Sequence, residues 1–231
     1  MCQFNDSNGT KMEGAMFKKL VYLALFVLIN LGFLLSANEG QTQGTINLPK
    51  TGQKKCYNSS GTEISCASTG QDGEIKAGVE WPNPRFTVSG DCVNDNLTGL
   101  MWAKNGNLPN GTKTWQGALD YVTSINSGSG LCGYKDWRLP NVNELVSLVN
   151  FGEAGNKSTW LSSQGFSNVQ GSNYHSGSGW SNYWSSTTME DYMALPAVRP
   201  VNAWTVGMRH GAVRFYSKSD LYYVWPVRSG K

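Results

Sequence analysis

The chain has 231 residues, of which 39% are apolar and only 15% charged, so its length suits one domain with an extension. Its 27 glycines, 9 tryptophans and 10 tyrosines are typical of a loop-rich extracellular domain and exclude intrinsic disorder, because so many aromatic rings need a core. The formal net charge of +3 is too small to favour a nucleic-acid partner for an exported protein.

An apolar segment follows Met16. Two lysines form a basic region, residues 20–35 are apolar, and Ala37 offers a small residue for cleavage. This arrangement is typical of a secretory signal peptide, and a retained membrane anchor of minimal length is the alternative. We predict that residues 1–37 are a signal peptide with an upstream start artefact, and that residues 38–47 are a linker. The protein would then be exported to the periplasm, the outer surface or the medium, with no membrane segment after cleavage.

Residues Leu48–Gly52 read LPKTG, which has the form of a sortase sorting signal. Such a signal acts near a C-terminus, before an apolar segment and a basic tail, whereas this string directly follows the signal segment and linker. We therefore interpret it as the beginning of folded structure. Residues 48–85 are predicted to hold a small disulfide hairpin and a connector.

Cysteines define two predicted cross-links. The cysteines after the signal segment are Cys56, Cys66, Cys92 and Cys132. An even number in an exported chain indicates two disulfides, for which three connectivities exist. We favour Cys56–Cys66 and Cys92–Cys132, because CYNSSGTEISC has a turn-forming centre between strand-like arms. Zinc is disfavoured, since no C-x-x-C occurs and the two histidines lack ligand spacing, so no cofactor is expected.

Two strands and then two helices are predicted after residue 85. The strands lie in FTVSGDCVNDNLTGLMWAK, where apolar residues alternate around an SGD turn. Thr114 can cap a first helix that ends at Gly128 and Gly130, and Asn141 with Glu144 forms a capping-box-like pair for a second. The apolar positions at helical spacing are Trp115, Ala118, Leu119, Val122 and Ile125 in the first helix, and Leu145, Leu148 and Val149 in the second.

The last third is predicted to be a long loop followed by strands. Residues 152–182 are rich in Ser, Gly and Asn without a clear period, so we expect a long structured loop. In AWTVGMRHGAVRFYSK, alternation places Trp204, Val206 and Met208 towards the core and Thr205 outwards, with RHG as the turn. Pro226 in the final YYVWPVR indicates an edge position or the end of regular pairing. The element order predicts an α+β fold with two helices packed on antiparallel strands.

The segments DNLTGLMW, DWRLPNVNEL, YWSST and the terminal VWPVR together resemble the C-terminal domain family of the Legionella collagen-like adhesin. The resemblance extends from about Phe86 to Arg228, within a predicted domain of residues 86–231. It implies a C-type-lectin-like fold and an exported or bacterial-surface location. In the best-known relative it implies adhesion to sulfated glycosaminoglycan-like polymers. Trimerisation through a collagen-like stalk does not carry over, because this chain has no G-x-y repeat.

The same fold resemblance implies where a ligand would bind. Related hypervariable ligand-binding proteins change their last strands and loops, which correspond here to Trp204–Tyr222. From Arg199 onwards the sequence contains six basic residues and one acidic residue, Asp220, which gives a net charge of +5. A basic surface of this kind attracts acidic polymers, although a solvated face is the simpler interpretation.

The candidate ligand-binding residues are therefore Arg209, His210, Arg214 and Tyr216, which we expect to line one basic, aromatic strip. Arginine forks suit sulfate and carboxylate groups. The expected partner is an acidic or sulfated polysaccharide or another surface ligand. The alternative is a structural or assembly subunit of a surface layer, appendage or matrix, in which exposed aromatic residues make protein contacts.

Other chemistries find less support in the sequence. The implied fold is also similar to that of formylglycine-generating enzymes, which makes such an enzyme the least favoured alternative. Catalysis is not expected, because no Ser/His/Asp order stands out and formylglycine-generating chemistry would need free cysteines. Calcium could be held by Asp72 with Glu74, or by Asp91 with Asp95, but solvated turns are favoured there. In DWRLPNVNEL we expect Asp136, Arg138, Asn141 and Glu144 to serve structure, with Trp137 and Leu139 packed beneath the second helix.

Overall fold

Antiparallel sheets and short helices form the part of the chain that the computed structural model describes, which is residues 48–172, 181–190 and 201–230. The strands are β1 (Cys56–Tyr57), β2 (Glu63–Ile64), β3 (Phe86–Ser89), β4 (Cys92–Asp95), β5 (Leu100–Ala103), β6 (Asn182–Thr188), β7 (Asn202–Gly207), β8 (Ala212–Ser217) and β9 (Val227–Ser229). The helices are α1 (Asp72–Ile75), α2 (Trp115–Ser127), α3 (Val142–Ser147) and α4 (Lys157–Ser163).

The strands form three sheets, in the orders β1-β2, β3-β4-β5-β9 and β6-β7-β8, and neighbouring strands are antiparallel. This confirms the predicted mixture of helices and antiparallel strands. The predicted signal peptide and linker lie outside the described residues. Within the described part of the chain, none of the helices has the length and apolar character needed to cross a bilayer.

Helix α2 has the predicted beginning, end and buried face. Thr114 Oγ1 accepts a hydrogen bond from the Gly117 N–H at 3.2 Å, and Gly128 follows the last helical residue. Ala118 and Val122 are buried, and the other predicted apolar positions are partly buried against the same cluster. The helix is therefore held by packing along one stripe, with local capping at its N-terminus.

Helix α3 begins with the predicted capping box. Asn141 Oδ1 accepts from Glu144 N at 2.9 Å, and Glu144 Oε2 accepts from Asn141 N at 2.8 Å. Arg138 also donates to both carboxylate oxygens of Glu144, at 2.7 and 2.6 Å. Although burial opposes it, these donors hold the pKa of Glu144 below its ordinary value. Trp137 and Leu139 are buried as predicted, each 2% exposed, but they lie in the cluster that contains the buried face of α2 rather than beneath α3.

The prediction of one long loop from residue 152 was wrong in its first half, where α4 forms. Asn156 caps this helix, its Oδ1 accepting from Ser158 N at 3.1 Å, and Leu161 is completely buried. Trp160 in α4 packs against the core, and Phe166, in the loop that follows, is buried in it. The single turn of α1 was not predicted either. Residues 173–180 of the predicted loop lie outside the described residues.

The LPKTG string is built into the fold. Lys50 N donates to Val79 O at 3.1 Å, and Val79 N donates to Leu48 O at 2.8 Å. Thr51 O accepts from Phe151 N at 2.9 Å. Next to this contact a Cβ on Gly152 would lie 1.9 Å from the carbonyl oxygen of residue 52, so only glycine permits the approach. The Thr51–Gly52 peptide bond is therefore engaged by the domain, which supports the interpretation of LPKTG as the beginning of folded structure.

The favoured disulfide pairing is confirmed, with Cys56 bonded to Cys66 and Cys92 bonded to Cys132. The first closes the β1-β2 hairpin, and the second ties β4 to the segment between α2 and α3. Their sequence separations are 10 and 40 residues. Two structural disulfides fit an exported protein.

We expect the double variant Cys92→Ser, Cys132→Ser to lose about 2–4 kcal/mol of unfolding free energy, because the bond closes a 40-residue separation. The matched variant Cys56→Ser, Cys66→Ser should lose less, since its loop is shorter and chain entropy grows with loop length. Urea unfolding under non-reducing conditions measures both. Equal losses would contradict the loop-length argument.

Candidate functional site

The β7-β8 hairpin carries the predicted ligand-binding residues. Its register pairs Trp204 with Phe215, Val206 with Val213, and Thr205 with Arg214. Directly paired residues share a face of the sheet, so Trp204, Val213 and Phe215 lie on one face. Arg214 lies on the opposite face together with Tyr216.

The burial of this hairpin differs from the prediction in two ways. Thr205 was expected to face outwards, but it is completely buried; its hydroxyl accepts from Asn182 Nδ2 and donates to Arg214 O, each at 3.1 Å. Trp204 was expected in the core, but it is only partly buried, and its ring meets Phe215 edge-on at 5.6 Å. Both faces of the central strand β7 are packed, so alternation alone does not separate inside from outside here.

Three of the four predicted residues converge. Arg209, His210 and Arg214 line one small cavity of about 140 Å³ beside the turn. Arg209 Nε donates to His210 Nε2 at 3.0 Å, and Arg209 Nη1 approaches Gly171 O at 3.4 Å. His210 and Arg214 are exposed. The turn thus presents two guanidinium groups and an imidazole around one concavity.

Tyr216 lies apart from this group. Its ring packs on Tyr222 at 4.8 Å, and burial raises the pKa of the Tyr222 phenol above its ordinary value. Tyr216 lines a second, shallower groove of about 330 Å³ together with Trp204, Arg214 and Phe215. Arg214 is therefore the residue shared by the two concavities, and the predicted strip is two adjoining sites rather than one.

The C-terminal stretch from Arg199 presents less positive charge at the surface than its formal net charge of +5 suggests. Arg228 is only 8% exposed and donates to both oxygens of Asp136, at 2.6 and 3.1 Å. This pairing holds the pKa of Asp136 below its ordinary value. Arg228 also lies 3.7 Å from the centre of the Tyr134 ring. It therefore serves structure, while Arg199 and Lys231 lie outside the described residues.

Glu74 and Asp95, two of the four carboxylates considered for calcium, are already bound by protein groups. Glu74 accepts from Ser68 N at 2.6 Å and from Gly70 N at 2.7 Å. The backbone N–H of Gly70, then that of Ser68, lowers the pKa of Glu74. Asp95, expected in a solvated turn, is instead 1% exposed. The described part of the chain contains no cluster of three or more His, Cys, Asp or Glu side chains suited to a metal ion.

Asp95 pairs with Arg85, a residue that the sequence analysis did not single out. Arg85 is 3% exposed, and its Nη2 donates to Asp95 Oδ2 at 3.2 Å and to Ser147 O at 2.6 Å. Asp95 also accepts hydrogen bonds from Leu97 N, at 3.0 Å, and from Thr98 Oγ1, at 2.9 Å. No sequence pattern marks Arg85, because its partners come from two other elements.

Residues 91–228 match the family described as the Lcl C-terminal domain. The chain belongs to this family, which confirms the resemblance drawn from the sequence. The β7-β8 hairpin lies inside the matched region, whereas Arg85 and the segment before it lie outside. The comparison with curated proteins found no match.

Proposed function

We propose that this protein is an exported, non-catalytic, adhesin-like domain with a C-type-lectin-like fold. It binds an acidic or sulfated polysaccharide through the β7-β8 hairpin. The family supports a surface-associated, adhesin-related role. The observation that carries the ligand assignment is the convergence of Arg209, His210 and Arg214 on one cavity.

The hairpin offers chemistry suited to such a polymer. Guanidinium groups bind sulfate and carboxylate oxygens through two parallel N–H donors, which gives orientation as well as attraction. Arg214 lies between this cavity and the aromatic groove that contains Trp204 and Phe215. A sugar ring can pack on the groove while its acidic group reaches the arginines. Binding of this type weakens as salt rises, because the charges are exposed.

The second candidate is a structural or assembly subunit. The observation favouring it is the apolar face of β8, where Val213 is 42% and Phe215 is 46% exposed next to Trp204. Within the described residues β8 is the last strand of its sheet. An open strand edge beside exposed apolar side chains is suited to protein contacts. Formylglycine-generating chemistry is disfavoured, because Cys92 and Cys132 are joined in a disulfide.

The test is elution from heparin and from a neutral glycan column across a salt series. We expect wild type to be retained by heparin at low salt and the variant Arg209→Ala, Arg214→Ala to bind about tenfold to a hundredfold more weakly. The control Lys104→Ala, Lys135→Ala removes the same charge elsewhere and should elute with wild type.

Equal retention of wild type and the arginine variant would overturn the site. Absence of retention on heparin, together with concentration-dependent self-association abolished by Phe215→Ser, would favour the assembly role. Light scattering coupled to size exclusion measures that association.

A further inference from the structure

The N-terminal segment borders a further cavity of about 570 Å³, larger than both concavities of the hairpin. The segment contributes residues 50–54, Lys76, residues 80–83 and Arg85 to the lining, and Asn150, Trp160 and Gln164 contribute the rest. The segment is fixed to the domain by the Phe151 N–H to Thr51 O bond of 2.9 Å. This volume is within the range of about 300–1,000 Å³ that small-molecule sites occupy.

Two tryptophans form the aromatic part of this cavity. The rings of Trp81 and Trp160 lie 5.6 Å apart at 40°, and both side chains are only partly buried. Trp81 is held by its own hydrogen bond, Nε1 donating to Lys50 O at 2.8 Å. Indole faces held in place at a partly exposed cavity provide a rigid surface for a flat, partly apolar ligand.

Arg85 contributes a buried positive charge to the same cavity. Its guanidinium carbon lies 4.4 Å from the centre of the Trp81 ring, a cation–π contact. Its Nε and Nη2 are bonded, whereas its buried Nη1 has no hydrogen-bond partner in the described part of the protein. A buried donor of this kind is uncommon in folded proteins and calls for an explanation. The cavity lining therefore includes a guanidinium whose charge is balanced by Asp95 and which keeps one unbonded N–H donor.

The rim adds further positive charge. Lys50, Lys54 and Lys76 line the cavity, and Glu80 is the acidic residue among them. Glu80 pairs with Lys50, which lowers the pKa of Glu80, and Lys54 and Lys76 lower it further from a greater distance. Lys54 and Lys76 are exposed and remain available to a ligand anion. The amide side chains of this cavity can bond the hydroxyl groups of a sugar.

We propose that this cavity binds an acidic sugar unit of the hexuronate type. The ring packs on Trp81 and Trp160, and the carboxylate is held by the rim lysines Lys54 and Lys76. This site is distinct from the hairpin. Most of its lining precedes the matched residues 91–228, so it is a property of this chain's own N-terminal segment.

The probe is a short oligogalacturonate, compared with its fully methyl-esterified form, which keeps the rings and removes the charge. Titration of the intact oxidised protein is followed by the indole N–H resonances in two-dimensional NMR. We expect Trp81 and Trp160 signals to shift and the Trp204 signal to stay. The ester should bind at least about tenfold more weakly, because the charge-assisted contacts are lost.

The decisive variant is Lys54→Gln, Lys76→Gln, which changes exposed side chains and leaves the fold intact. We expect its dissociation constant for oligogalacturonate to rise about tenfold. The control variant Lys104→Gln, Lys135→Gln should bind as wild type does.

Three outcomes would overturn the proposal. These are no shift of the Trp81 and Trp160 signals up to about 10 mM probe, equal binding of acid and ester, or a shift confined to Trp204. Oligogalacturonate binding that survives Arg209→Ala, Arg214→Ala would support the cavity whether or not the hairpin binds heparin.

Discussion

Replacing Trp225 with alanine is expected to lower the free energy of unfolding by about 3–5 kcal/mol. Trp225 is completely buried and meets the rings of Trp102, Phe166 and Tyr183 at 5.8, 5.2 and 5.1 Å. Its Nε1 donates to Ala103 O at 2.7 Å, so the indole joins strands β5 and β6 to the segment after α4. Alanine would leave a large cavity and an unbonded carbonyl at the point where these elements meet.

Chemical denaturation monitored by far-UV circular dichroism measures this loss, and Trp204→Ala is the matched control. Trp204 is partly exposed and contacts Phe215 at the surface of the hairpin. Trp204 buries less apolar area in the folded protein than Trp225 does. The loss of unfolding free energy for Trp204→Ala should therefore be less than half as large. Equal costs would show that Trp225 does not occupy the structural centre assigned to it.

Helices α2 and α3 were predictable because their signals are local. Thr114 before α2, and Asn141 with Glu144 before α3, satisfy backbone donors within their own turn. The disulfide hairpin was predictable for the same reason, since Cys56 and Cys66 flank a turn. Interactions between residues close in sequence leave a pattern that can be recognised without knowledge of the tertiary structure.

Helix α4 was missed because its stabilisation is tertiary. Only two of its residues, Ser158 and Leu161, are buried, so its apolar stripe is too short to show a period. Asn156 was an available N-cap signal, but the surrounding Ser, Gly and Asn residues carry equally good turn signals. The helix forms because Leu161 lies in the hydrophobic core and Trp160 packs against that core.

The candidate sites were predictable to different degrees. The sequence predicted the β7-β8 hairpin and the position of its turn, but not the burial of Trp204 and Thr205, because β7 is covered on both faces. The larger cavity was beyond sequence reasoning altogether. Trp81 and Trp160 are 79 positions apart and meet only through the folded N-terminal segment. Asp95 was likewise interpreted as a turn residue, since its partner Arg85 is identified only by the packing.

Replacing Asp95 with alanine is expected to lower the free energy of unfolding by about 3–5 kcal/mol. The ion pair with Arg85 is buried, with side-chain exposures of 3% for Arg85 and 0% for Asp95. Alanine would leave the guanidinium charged, desolvated and short of its acceptor, which is far more costly than loss of an exposed pair. Equilibrium urea unfolding at neutral pH measures the change, and Asp91→Ala, at an exposed carboxylate on the preceding turn, is the control.

A double-mutant cycle distinguishes the ion pair from the other contacts of Arg85. The cycle comprises Arg85→Met, Asp95→Leu and the double variant. If the pair dominates, the double variant should be more stable than Asp95→Leu alone, because no buried charge is left without its partner. If the double variant is as unstable as the single one, the bond to Ser147 O and the stacking on Trp81 hold this region instead. The bond to Ser147 O connects the N-terminal segment to the domain, and the stacking on Trp81 orders the segment itself. The second result would therefore assign Arg85 chiefly to forming the larger cavity. The main role of the Asp95 carboxylate would then be to offset the desolvation cost of the buried guanidinium.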